Sequence, residues 1–260
     1  MSWYTGDVNY YKEMKQQKII ATVTLVVSLI SFSAMNAIPV WAVTKTTPVA
    51  TAAMANKAAA RLASVRANAD KEIDRRVAVL NKLVTKLGVL KRVTDAQKAT
   101  LTAQVQSEIS NLMALKAKID ADTDLTTLKA DKKSIVDSYR VFLLFVPQVT
   151  ITAHADRILN VATALQTLAD KLSTRIDAAK TAGKNVTAAS AKLADMNAKI
   201  ADAITQANNA ITAVGGLTPS GYPGNKGTLS DARKMLATAR TDLRMARQDV
   251  AGVRAGLKTK

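Results

Sequence analysis

LSDARKMLATARTDLRMARQDVAGVRAGL, residues 229–257, is the stretch whose reading decides the fold. Leu229, Leu236, Leu243, Val250 and Leu257 fall seven apart, and Ala232, Ala239, Ala246 and Val253 follow the first four by three residues. A seven-residue repeat with apolar first and fourth positions is the seam of packed helices. Large residues at one seam position and alanine at the other let two helix backbones approach closely. The partner lies just upstream, where Leu193, Met196, Ile200, Ile204, Ala207, Ile211 and Val214 recur at helical spacing. The connection between them, GGLTPSGYPGNKG at 215–227, is short beside the helices, which predicts an antiparallel hairpin.

The same pattern extends towards the N-terminus. A helix from about Ala50 to Leu90 carries Ile73, Val77, Leu80, Val84 and Leu87 in alternating steps of four and three. Thr94-Asp95-Ala96-Gln97 offers a capping box for the next helix. That helix presents Leu101, Val105, Ile109, Leu112, Leu115 and Ile119 on one face and stops near Asp122-Thr123-Asp124. A third starts at Leu125 and becomes wholly apolar in VFLLFV, residues 141–146, where Pro147 is expected to end or kink it. The apolar run reads as a central helix covered on all sides rather than an exposed patch. A fourth helix, through Ile158, Leu165, Leu168, Leu172 and Ile176, closes at Gly183, a left-handed terminator. The fold class is therefore all-α: an elongated antiparallel bundle of coiled-coil hairpins following an N-terminal signal or anchor helix.

Composition agrees with this reading. Of 260 residues only 4% are aromatic, and 37 Lys and Arg against 20 Asp and Glu leave a net charge of +17. Such a surface favours anionic polymers or anionic lipid. With no cysteine there are no disulfides, thiol nucleophiles or Cys-based zinc sites.

At the N-terminus, Lys12, Lys15 and Lys18 precede an uncharged apolar run, Ile19–Met35, and Val40-Trp41-Ala42 supplies small residues at the positions a signal peptidase reads. Residues 1–42 are read as an N-terminal extension and cleaved signal peptide, with Val40 third and Ala42 last before the cut. Retention of Ile19 to Ala42 as a membrane anchor is the alternative, because the segment is long enough to span a bilayer. Residues 43–55 read as a linker and 56–260 as the basic bundle.

Candidate sites are few. Arg233, Arg240, Arg247 and Arg254 also recur every seven residues, with Arg244 beside them. They form a ridge of guanidinium groups about 10 Å apart along one helix. A flanking row whose heads pair with carboxylates of a neighbouring helix is the weightier reading, because charged rows commonly border such seams. His154 is the only histidine and reads as structural. The glycines of 215–227 lack the Lys-Ser/Thr ending and the preceding strand of a phosphate-binding loop. Asp120, Asp122 and Asp124 read as turn and cap residues, since the glycine and later glutamate of a calcium loop are missing. Few aromatics survive the expected cut and both phenylalanines beyond it read as buried, which argues against a nucleic-acid partner.

No nucleophile, acid–base pair or cofactor motif is present, so no enzyme is expected and no cofactor is assigned. The expectation is a secreted, periplasmic or cell-surface protein of structural or interaction type. Its partners would be an anionic envelope polymer or lipid surface, or another helical protein, with oligomers open. The alternative is a membrane-anchored coiled-coil scaffold that keeps its N-terminal helix.

Overall fold

The computed structural model describes residues 48–258; the Ile19–Met35 run and the cleavage candidates Val40 and Ala42 lie outside the described residues. Every regular element among the described residues is helical. The elements are α1 (Pro48–Gly88), α2 (Asp95–Ala121), α3 (Leu125–Asp137), a π-helical turn (Val141–Phe145), α4 (Val146–Thr181), α5 (Thr187–Gly215), a 3₁₀ turn (Pro219–Gly221) and α6 (Asn225–Gly256). α1 begins at Pro48, so the second half of the stretch read as linker, 43–55, is helical. Proline suits that first turn because its missing N–H has no intrahelical partner there.

The α5–α6 hairpin packs as its repeat requires. Leu229, Ala232, Leu236, Ala239, Leu243, Ala246, Val250 and Val253 are all buried, facing Met196, Ile200, Ala203, Ala207, Ala210 and Val214. The alanines bring the helices together until, at the far end, a Cβ on Gly256 would lie 2.8 Å from the Ala189 amide nitrogen. The buried Asp249 ties the pair with Lys199 at 2.7 Å and Lys192 at 3.4 Å, both on α5.

Local signals end the helices where the sequence places them. Thr94 and Gln97 make both arms of the capping box, Thr94 Oγ1 accepting from the Gln97 amide at 3.2 Å and Gln97 Oε1 from the Thr94 amide at 3.1 Å. Gly183 adopts φ 76°, and the Lys184 amide donates back to the Ala179 carbonyl at 3.0 Å.

The six helices form two three-helix groups, α1–α3 and α4–α6, that overlap along the first turns of α4. The main direct contacts between the groups are α1 with α4 and α2 with α5. Two polar devices hold this joint. Asp156 Oδ1 on α4 accepts from three successive amides of the α1–α2 turn, Lys91 (2.8 Å), Arg92 (2.5 Å) and Val93 (3.3 Å). Gln148, fully buried on α4, donates to the Val214 carbonyl at 2.6 Å, and Gln104 on α2 donates to the Gly215 carbonyl at 3.1 Å. The two amides thus satisfy the last carbonyls of α5, that of Val214 being shared with the Leu217 amide at 3.3 Å.

Pro147 does not end a helix. The break comes earlier, at Ser138–Arg140, where Arg140 takes the left-handed conformation with φ 45°. The chain re-enters helix through the π-turn, and Pro147 sits one residue into α4, directly after that turn. The 141–146 run is likewise only half covered. Val141, Leu144 and Phe145 are buried, whereas Phe142 and Leu143 are 39% and 44% exposed. Phe142 was expected inside; its ring instead carries the guanidinium groups of Arg75 and Arg76 at 4.9 and 5.3 Å. A stretch within Leu125–Thr181 is apolar enough to cross a membrane by length and composition, and 44% of it is buried inside the bundle.

Candidate functional site

A basic groove runs between α4 and α6. Arg240, Arg244 and Arg247 lie at i, i+4 and i+7, so they share one face of α6 over about two turns. Arg157 and His154 of α4 stand opposite, with Ile158, Val161 and Leu243 as the apolar floor of a cavity of 430 Å³. Arg233 and Arg254 belong to the same row but lie outside the groove.

Pairing with a neighbouring helix, the weightier expectation for this row, is not what the arginines do. Among the described residues none of Arg157, Arg233, Arg240, Arg244, Arg247 and Arg254 has a carboxylate within ion-pair distance. The reason is geometric. The acids of α6 nearest the row, Asp242 and Asp249, are turned inward, and Asp249 is taken by α5 lysines. The one polar partner is His154, whose Nδ1 accepts from Arg240 Nη2 at 3.3 Å; a guanidinium can only donate, so the ring proton is on Nε2. Burial, then the charges of Arg240, Arg157 and Lys86, hold the His154 pKa below its usual value, so the imidazole is neutral at pH 7. The groove therefore presents four guanidinium groups and a neutral donor, the forked geometry that suits phosphate, sulfate and carboxylate oxygens.

A second, larger recess lies between α2, the α3–α4 junction and the α5–α6 connection. It has a volume of 1260 Å³ and is lined by Glu108, Asn111, Asp131, Tyr139, Phe145 and Tyr222 among others. Sequence periodicity had placed Ile109, not Glu108, on the buried face. The observed seam runs Leu101, Val105, Glu108, Leu112, Leu115, Ile119, an unbroken alternation of four and three, and that path passes through the glutamate. Glu108 is 6% exposed and its Oε1 has no hydrogen-bond partner. Burial pushes its pKa up to about 7. Nearby, Tyr139 donates to the Asn111 carbonyl at 3.2 Å, and its hydroxyl pKa is raised by burial and by the adjacent Glu108 and Asp131 charges. Arg140 covers the Tyr222 ring at 4.8 Å, and Lys226 lies 5.1 Å from the same ring.

Among the described residues no group of three or more His, Asp or Glu side chains is placed to hold a metal ion. No protein-family model, curated protein or solved structure matches this chain. The recess was not legible beforehand. A glutamate three residues after a seam valine was its one signal, and an apolar neighbour at 109 masked it.

Proposed function

We propose that this is a non-enzymatic, exported structural and interaction protein whose basic α4–α6 face binds anionic polymers of the cell envelope. The observation that carries the reading is the groove itself: three α6 arginines and Arg157 converge without a carboxylate to neutralise them. In a chain of net charge +17 the long-range field draws polyanions in, and the forked donors give the contact its local strength. The basic segment before Ile19–Met35 and the small residues ending at Ala42 support export.

The test is binding to a sulfated glycan, heparin, over a salt series. Arg157, Arg240, Arg244 and Arg247 are replaced by Gln, and a second variant removes the exposed Lys57, Lys71, Lys129 and Lys184 instead. Affinity should fall steeply with salt, since each neutralised anionic group releases counterions. The arginine variant should bind more weakly and with a shallower salt slope than the lysine variant. Equal losses in the two variants would make binding a matter of net charge alone and overturn the groove as its seat.

A further inference from the structure

We infer that the recess beside Glu108 is a binding site for a small organic cation, an amine carried on an apolar or aromatic body. The site is separate from the basic groove and asks for the opposite charge.

The buried polar atoms left without a partner on its walls are both carboxylate acceptors. Glu108 Oε1 and Asp131 Oδ2 are buried and unpartnered, and both residues line the recess, Glu108 at 6% and Asp131 at 9% exposure. Buried polar atoms are ordinarily paired because leaving one open costs its desolvation, so two in one cavity point to something that fills them. The cations on its walls are already engaged. Lys118 holds Asp131 through its other oxygen at 2.9 Å, and Arg140 lies 3.7 Å from Asp137 and against Tyr222. Glu108 alone has no cation. A ligand anion would meet Glu108, Asp131 and Asp137 with nothing free to neutralise it, whereas an ammonium supplies the missing donors and charge together. Tyr139, Phe145, Leu217 and Leu115 give the body of such a ligand an apolar bed, and Tyr222 already accepts cations on its ring.

The proton balance follows from Glu108. The side chain is half protonated near pH 7 and must be a carboxylate to pair with ammonium, so binding expels its proton to solvent. The other titratable and charged groups lining the recess are Asp131 and Asp137 of α3, Lys118 of α2, and Tyr139, Arg140 and Tyr222.

The experiment is calorimetric titration of the full-length protein with 2-phenylethylamine, with 2-phenylethanol as the neutral isostere, in two buffers of different ionisation enthalpy. The amine should bind and the alcohol should not. About half a proton should be released per amine at pH 7, nearly one at pH 6 and almost none at pH 8, with affinity rising towards tenfold per unit below pH 7. Glu108→Gln should abolish proton release and weaken the amine at least tenfold while leaving heparin binding unchanged. Salt should leave amine affinity flat or raise it, because screening removes the repulsion from a protein of net charge +17, opposite in sign to polyanion binding. Ala103→Trp, which fills the recess from the exposed side of α2, should block the amine with the fold intact and serves as the second variant should Glu108→Gln unfold. No amine binding, equal binding of the alcohol, or an amine affinity unaffected by both substitutions overturns the site. None of these outcomes bears on the arginine groove.

Discussion

Asp156 accepts three backbone amides with one carboxylate oxygen and receives the Asn160 side-chain amide on the other at 3.1 Å. Removing the carboxylate strands amides that are fixed by the tight turn and partly shielded from water. Asp156→Ala is therefore expected to cost on the order of 3 kcal/mol, because bonds to a charged acceptor are the stronger class. In a protein of this size that lowers the thermal midpoint by about 6–12 °C; an unchanged melt by circular dichroism would remove Asp156 from the joint. Glu108 gives a second prediction. The folded protein keeps this proton up to about pH 7, whereas the unfolded chain releases it near 4.5, so this group makes stability fall as pH rises through that window and stay level above it. Glu108→Gln should remove about 3 kcal/mol of that fall, seen as the difference between wild-type and variant denaturation midpoints at pH 4.5 and pH 8. Neither residue could be picked from sequence. Asp156 resembles any surface acid on a long helix, and its role depends on a turn 63 to 65 residues away. Glu108 was hidden by Ile109, just as Arg76, buried at 5% exposure and paired with Glu72, was hidden by Val77. In α2 the choice of Ile109 breaks the alternation of four and three that packing keeps; in α1 the expected series keeps that alternation but in the wrong phase, through Val77 and Val84, where the buried series runs Ile73, Arg76, Leu80, Leu83 and Leu87.

At the scale of elements, the helices were legible because each is long, periodic and punctuated. The α5–α6 seam, the capping box at Thr94 and the stop at Gly183 rest on local chemistry that neighbouring residues carry by themselves. The third helix departs from its expected course because Pro147, which ends a helix from its interior, sits one residue inside the start of α4. Nothing in Ser138-Tyr139-Arg140 announces a break, since arginine has no preference for the left-handed region. The alanine seam makes its own prediction. Gly256→Ala would push a Cβ to 2.8 Å from the Ala189 nitrogen and 3.1 Å from its Cα, both backbone atoms that cannot step aside. A loss of about 1–3 kcal/mol is expected, the usual range for overpacking, despite alanine's better helix propensity. Chemical denaturation decides between them, and a more stable variant would mean the helix ends part without cost.

For the whole molecule, processing and folding are the measurable quantities. Trp3 and Trp41 are the only tryptophans and both precede the expected cut after Ala42. The exported protein should begin at Val43 and lack indole fluorescence, as intact mass and an emission scan would establish; a mass that includes Ile19–Met35 would speak for the anchor. Charge, fold class and the arginine row could be read from the chain, but the meeting of Arg157 with Arg240, Arg244 and Arg247 could not, because it depends on how α4 and α6 lie side by side. The joint along α4 carries a further consequence, one of cooperativity. Two helical groups that share one rod and a few polar ties melt as a unit only while those ties make partial unfolding dearer than complete unfolding. Asp156 is one of the two polar ties that span the groups, the other being the Gln148 and Gln104 amides, so Asp156→Ala should split the heat-capacity peak or lift the calorimetric enthalpy above the van't Hoff value. All-or-none melting in this chain would then depend on one carboxylate and a pair of buried amides.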